Sequence, residues 1–299
     1  MKKIIISASR RTDIPAFYSV WLIERMKLGY LYYPNPFSQK PVYIDLSPEA
    51  VKAFVFWTRN PKPLFKHLDF IDEKYNKHHY MHLTINGYSK ILEKRSPDIN
   101  HAISYAEYLA KRYGDNYIQW RFDPIIISSI TPYEFIINKF RYIADKLFGI
   151  TKRCYISFID LYKKTKKNLQ KAERDFDIKF YEPSVEEQIK LVKVLLEIAK
   201  EKKIDLYACT EDHLLKRIPE LKKAHCVDIE IIDSICRDDE KSNYKISPSR
   251  LGCGCYESKD IGIYDTCPFG CIYCYANSNS DKRIEEVKRK IKNYSAELI

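Results

Sequence analysis

The sequence predicts an α/β protein organised as a (β/α)8-like TIM barrel or partial barrel, on three observations. Short runs rich in β-branched and aromatic residues recur at fairly even intervals, segments of helical periodicity lie between most of them, and eight such runs can be counted. A helix feeding each next strand is the rhythm of a parallel sheet, in contrast to hairpins.

The runs are KIIISA (3–8), AFVFWT (53–58), YMHLTI (80–85), YIQWRF (117–122), CYISFI (154–159), DLYACT (205–210), HCVDIEI (225–231) and DIGIYDT (260–266). The seventh is ambiguous with a helix, and the eighth leads directly into a cysteine motif. The clearest helix starts at Ser184, where Glu187 completes a capping box and Val185, Ile189, Val192, Leu195 and Ala199 recur on one face. Another, within residues 96–114, ends at Gly114, a natural C-terminal stop. No repeat, low-complexity linker or Gly-rich phosphate loop breaks the rhythm, since the eight glycines are scattered and never adjacent. The expectation is one barrel domain over residues 1–299, with a cysteine-bearing segment at about 250–280 and a basic helix at about 281–296.

Hydrophobic residues at 45% exclude a disordered chain. The opening MKKIIISASRRTD resembles a signal peptide only briefly, because its apolar run spans Ile4 to Ile6 before Arg10 and Arg11 interrupt it. No apolar stretch approaches the length of a membrane span, so a cytoplasmic protein without a membrane partner is expected. Thiols stay reduced there, and nine cysteines then point to metal or redox chemistry over disulfides. The net charge of +11 is concentrated in KKTKKNLQKAER (163–174) and DKRIEEVKRKIKNY (281–294). Such runs are commonly solvated helix faces; a nucleic-acid partner is the other reading.

In a parallel barrel, chemistry gathers where strands end, because those loops converge on one face. The residues there are polar: SRRTDIP (9–15), TRNP (58–61), NGY (86–88), RFDP (121–124), FID (158–160) and TED (210–212). Candidate site residues on this rim are Arg10, Arg11, Asp13, Arg59, Arg121, Asp123 and Glu211. Capping by Asp13, Asn60 and Asp212, with arginines paired to nearby carboxylates, is the simpler account. Arginines projecting into one mouth would instead grip a carboxylate or phosphate. A one-residue slip in register would turn Arg121 outward. Trp57, Trp120, Tyr88 and Phe122 lie beside these groups, as core or as a stacking surface.

CPFGCIYCYA (267–276) places Cys267, Cys271 and Cys274 within eight residues. Three thiolates can wrap one compact centre and leave a metal position open, whereas structural zinc favours paired CxxC elements with a fourth ligand. The C-x3-C-x2-C spacing, with Tyr273 just before the last cysteine, resembles the radical SAM superfamily. That resemblance implies a 4Fe-4S cluster held by the three cysteines, S-adenosylmethionine on the fourth iron, and Tyr273 near the adenine. It further implies reductive cleavage to a 5′-deoxyadenosyl radical acting on an unidentified substrate, with a reducing donor such as a flavodoxin or ferredoxin.

The motif usually follows the first barrel strand, whereas here it follows the last, so the resemblance implies a circularly permuted barrel. The superfamily's Gly-Gly-Glu stretch is missing, and Asp123 or Glu211 would have to meet the methionine amino group. SASRRTDIPAF, FWTRNP, WRFDP and CGCYESKDIGIYDTCPFGCIYCYA are similar to the bacterial family called domain of unknown function 1848, over most of the chain.

Cys253 and Cys255 could join Cys226 or Cys236 in a second metal site, or all could be ordinary thiols. Cys154 and Cys209 read as buried apolar residues inside strands. A non-enzymatic iron-sulfur or zinc protein, binding nucleic acid through the basic helices, is the second functional reading.

Overall fold

A computed structural model describes residues 2–34, 40–236, 243–277 and 281–292. Its main sheet has eight strands: β1 (Ile4–Ala8), β2 (Val51–Thr58), β3 (His79–Thr84), β4 (Ile118–Ile125), β5 (Arg153–Phe158), β6 (Asp205–Ala208), β7 (Lys222–Lys223) and β8 (Lys259–Asp260). Their spatial order is β7-β6-β5-β4-β3-β2-β1-β8, and every neighbouring pair is parallel. Eleven helices stand among the described residues, and at least one lies in each connection between consecutive strands. A two-stranded antiparallel ribbon, Tyr30–Pro34 with Pro41–Asp45, interrupts the first connection.

The strand order is that of the expected barrel cut between its seventh and eighth strands, but the ladder does not close. Among the described residues, no strand pairing joins β7 to β8. Single bonds bridge the seam: Tyr256 N–H donates to the Val227 carbonyl at 3.1 Å, and Lys223 Nζ to the Gly252 carbonyl at 2.6 Å. The TIM-barrel expectation is therefore corrected to an eight-stranded parallel α/β sheet with an open seam.

Neither edge strand fills its apolar run: β7 lies wholly before residues 225–231 and β8 shares only Asp260 with residues 260–266. The ambiguity of HCVDIEI resolves to a helix: Asp228 accepts from Glu230 N–H at 2.9 Å and caps Ile229–Ile235. In DIGIYDT the ladder stops at Asp260, with one further bond from Ile261 N–H to the Ser7 carbonyl at 3.1 Å. Gly262 then lies against β1 so closely that a Cβ there would fall 1.8 Å from Ser9 Oγ. The earlier elements follow the sequence more closely. Ser184 and Glu187 form the capping box, and Ile189, Val192, Leu195 and Ala199 are buried, although Val185 is exposed.

Period-two alternation decides which side chains meet the helices. On β4, Trp120 and Phe122 pack on Phe140 of helix Tyr133–Lys146, with ring centroids 4.9 and 5.2 Å away. They are core. Arg121 and Asp123 consequently take the opposite, inner face. Tyr80 and His82 of β3 share that face and reach across to the Cys226 carbonyl, at 2.8 and 2.6 Å. The sheet is thus curled enough for its third strand to touch the loop after its seventh.

A buried group on the helix-facing side yields a pH prediction. His79 Nε2 lies 2.8 Å from Asp72 Oδ1, and Arg112 and Tyr113 also bind that carboxylate. Burial lowers the His79 pKa from its ordinary 6.5, although the hydrogen bond and charge of Asp72 act upward. For Asp72, burial acts upward, but hydrogen bonds from His79, Arg112 and Tyr113 outweigh it and hold the carboxyl below its ordinary 3.8. The unfolded chain binds more protons than the folded one as pH falls through either value. Both groups therefore contribute stability that is present above pH 6.5 and lost on acidification, first through His79 and then through Asp72. The melting temperature should fall between pH 7 and 5, and His79→Gln should flatten part of that fall; a flat wild-type profile would contradict this account.

Candidate functional site

Asp260 builds the junction between the first and last strands. Its carboxylate accepts from Ser7 Oγ and Ser9 Oγ, both at 2.8 Å, from Arg10 N–H at 2.9 Å and from Gly262 N–H at 3.1 Å. β8 is only two residues long, so this carboxylate does much of what a longer ladder would do. The loop it anchors carries the three cysteines.

Within that loop the Cys274 N–H bonds the Cys271 carbonyl at 3.1 Å, closing a turn. Asn277 spans the group: its Oδ1 accepts from Cys267 N–H at 3.0 Å and its Nδ2 lies 3.4 Å from Cys274 Sγ. Cys271 bridges to Glu93 through an isolated antiparallel pairing, and Ile272 N–H donates to the Leu92 carbonyl at 3.1 Å. Burial pushes Cys271 up to about 12 and Cys267 well above the thiol range, and neighbouring thiols of the loop add to both rises. Among the described residues, no three His, Cys, Asp or Glu side chains already surround a common point as metal ligands do. A metal would have to draw the thiols together as it binds.

Beside Cys271 lies a polar knot. Arg59 donates to Glu93 Oε1 at 2.8 Å and to the Tyr273 hydroxyl, which itself donates to Glu93. Asn86 Nδ2 adds a bond to Glu93 Oε1 at 3.0 Å. Tyr273, expected near a nucleobase, is buried with its hydroxyl fully engaged, and Tyr88 meets it edge-on at 6.3 Å. Asp13 accepts from Ala16 N–H at 3.0 Å as a helix cap and from Arg59 N–H at 2.8 Å. Burial raises its pKa to about 7 against those bonds. The capping account therefore holds for Asp13, while Asp212 sits in the first turn of helix Asp212–Leu215 and caps nothing through its side chain.

The other rim residues form a second group on the inner face. Arg10 and Arg121 flank Trp57, at 5.3 and 5.1 Å from its ring, and His82 stacks on Trp57 at 4.3 Å. Arg121 is bound by Asp123, which also accepts from Ser157. Glu211 accepts from Phe158 N–H at 2.8 Å; burial raises its pKa to about 7, and Asp160 and Asp123 add to the rise. Arg11 turns to the Gly262 carbonyl at 3.2 Å and to the Tyr264 ring. Arg10, Arg59 and Arg121 each have a carboxylate, Arg10 at 3.9 Å from Asp260, so the pairing account of the arginines holds as well. A surface cavity of about 270 Å³ lined by Lys3, Glu49, Lys52, Lys74 and His78 lies at the other end of the strands, away from these groups.

The remaining cysteines divide unevenly. Cys154 is buried in β5 as expected. Cys236 ends helix Ile229–Ile235 and places its Sγ 3.3 Å from the Lys52 carbonyl, apart from the others. Cys209 is buried as expected, but one residue past β6, with its Sγ 3.8 Å from Cys226 Sγ. Asn86, Glu93 and Asp260 were missed. Asn86 and Cys209 stand at strand ends, the position already used to choose the rim, whereas nothing in the sequence around Glu93 distinguishes it.

These features define a parallel α/β protein with a three-cysteine loop after its last strand, on the same sheet end as an arginine-carboxylate rim. Residues 5–276 match the model of a family described as domain of unknown function (DUF1848), and the chain belongs to that family. Comparisons with curated proteins and with solved structures give no match. No helix among the described residues is long and apolar enough to cross a membrane.

Proposed function

We propose that this chain is an iron-sulfur enzyme of radical SAM type, with the strands in a permuted (β/α)8-like arrangement. The observation that carries the proposal is the position of Cys267, Cys271 and Cys274. They stand after a strand that pairs in parallel with β1, which brings them to the sheet end where Arg59, Asn86 and Glu93 gather. Three thiols in the C-x3-C-x2-C spacing suit a cluster that keeps one position open.

When bound, such a cluster supplies one electron for cleaving the sulfonium of S-adenosylmethionine. The protein's own part is positioning. Asp260 ties the loop to β1, Asn277 spans Cys267 and Cys274, and the Arg59–Glu93 pair fixes Tyr273 as a rigid wall. Arg10 and Arg121 beside Trp57 offer a cationic, aromatic surface for an anionic or planar substrate. Asp123 is saturated by Arg121 and Ser157, which leaves Glu211 as the better acidic partner for a methionine amino group.

The test is anaerobic reconstitution with iron and sulfide, reduction, and EPR with and without S-adenosylmethionine, alongside an assay for 5′-deoxyadenosine. A cluster signal that shifts on adding the ligand, with 5′-deoxyadenosine release, is expected. A metal signal indifferent to it would overturn the proposal. The second reading, nucleic-acid binding, draws on helix Lys163–Phe176, whose lysines 163, 164, 166, 167 and 171 are exposed. It requires binding that weakens steeply with salt.

A further inference from the structure

Four cysteines outside the three-cysteine loop converge at the open seam of the sheet. Cys209 follows β6, Cys226 follows β7, and Cys253 and Cys255 lie in the GCGC stretch before β8. Cys209 and Cys226 have their sulfurs 3.8 Å apart. The bond from Tyr256 N–H to the Val227 carbonyl, at 3.1 Å, sets the neighbouring Cys255 beside Cys226. Cys255 N–H also points at Cys253 Sγ, at 3.5 Å. The four cysteines thus gather from two connections, Cys209 from that between β6 and β7 and the other three from that between β7 and β8, without yet surrounding a common point.

The backbone there is built for close approach. A Cβ on Gly254 would lie 3.0 Å from the Ala224 carbonyl oxygen and 3.1 Å from the His225 ring. The Gly254 carbonyl instead meets His225 Nδ1, and Lys223 holds the Gly252 carbonyl. Positive charge adjoins the sulfurs: Arg121 donates to Cys226 Sγ at 3.2 Å, and Arg10 flanks the same Trp57 ring as Arg121. Four thiolates around a divalent cation carry a net charge of −2, and Arg10 and Arg121 adjoin it while each also faces a carboxylate, Asp260 and Asp123.

We propose that Cys209, Cys226, Cys253 and Cys255 ligate a second metal centre, an all-thiolate site for a single thiophilic cation of the zinc or iron(II) class. In a tetrahedral site with metal–sulfur bonds of about 2.3 Å, neighbouring sulfurs stand about 3.8 Å apart. The Cys209–Cys226 pair already has that separation. The remaining rearrangement is to bring the four sulfurs round the cation, which releases the thiol protons on binding. The centre would close by coordination the seam that backbone pairing leaves open. It is independent of the chemistry proposed for Cys267, Cys271 and Cys274.

The experiment measures zinc, iron and acid-labile sulfide per chain in the full-length protein and in a Cys267→Ala/Cys271→Ala/Cys274→Ala variant, both purified anaerobically. About one zinc or iron ion without sulfide should remain in the triple variant and disappear when Cys226→Ser or Cys253→Ser is added. Because Cys226 is buried and its variant could misfold, the second readout is cobalt(II) titration of the metal-stripped triple variant. Tetrahedral d–d bands with thiolate-to-cobalt charge transfer, weakened in Cys253→Ser, are expected. No metal in the triple variant and no tetrahedral cobalt spectrum would overturn the site. Retained iron with matching sulfide would overturn the single-cation form, and a mass deficit marking a Cys209–Cys226 disulfide would overturn metal ligation. None of these outcomes depends on S-adenosylmethionine cleavage, so failure here and failure of the enzymatic proposal are distinguishable.

Discussion

Asp260→Ala should lower the melting temperature by about 10 °C and detach the cysteine loop from the sheet. The carboxylate accepts four hydrogen bonds, two of them from the backbone N–H groups of Arg10 and Gly262, which cannot turn elsewhere. Leaving a buried donor unsatisfied costs about 1–3 kcal/mol. Allowing for the serine hydroxyls to find other acceptors, a total of about 3–5 kcal/mol follows. β8 offers little to compensate, because only Lys259 and Asp260 pair with β1. Asp260→Asn keeps the shape and one carbonyl acceptor and should recover roughly half of the loss. Thermal melts and limited proteolysis of the segment after residue 260 measure this. A melt within about 2 °C of wild type for Asp260→Ala would show that other contacts hold the junction.

The parts of the fold legible in the sequence were those where one physical signal dominates. β1 to β6 follow apolar runs bounded by capped helices, and Ser184 with Glu187 marks a helix start through chemistry local to four residues. At β7 and β8 local and tertiary signals compete. The run 225–231 has strand-like residues, but the Asp228 cap makes it turn into a helix. At 260–266 the run is ended by Gly262, whose glycine is required by Ser9, a residue some 250 positions away. Closure of the sheet depends on these two edges, and each is too short to pair with the other.

The site was legible only in part, for the same reason. The rule that strand ends carry chemistry selected Arg59, Arg121 and Asp123, and alternation along β4 does turn Arg121 inward. It did not reveal that Arg59 would be paired by Glu93, which sits in an irregular loop whose path only the folded chain defines. Cys209 illustrates a different limit. Its apolar setting suggests packing, and it is buried; that its sulfur faces Cys226 follows only from the loops after β6 and β7 lying side by side. Cys236, close to Cys226 in sequence, was carried away by the intervening helix.

Cys271→Ser separates the two readings of the three-cysteine loop most sharply. Serine is nearly the same size, so the pairing of residue 271 with Glu93 and the bond from Ile272 to Leu92 should survive. An alkoxide is a far poorer iron ligand than a thiolate, and a site with only three protein ligands has none to spare. For a radical SAM enzyme, 5′-deoxyadenosine formation should fall by at least roughly 100-fold, the upper range seen when even an outer partner of a metal ligand is removed. The Asp260 junction and the Arg59–Glu93 pair should meanwhile keep the fold intact. If metal instead only braces the C-terminal segment, the same substitution should leave no activity to lose and should expose residues after about 250 to protease, because metal binding there is folding energy. Product formation, iron content and protease sensitivity measured on one preparation therefore give opposite patterns. Retained product formation in Cys271→Ser would remove Cys271 from the mechanism altogether.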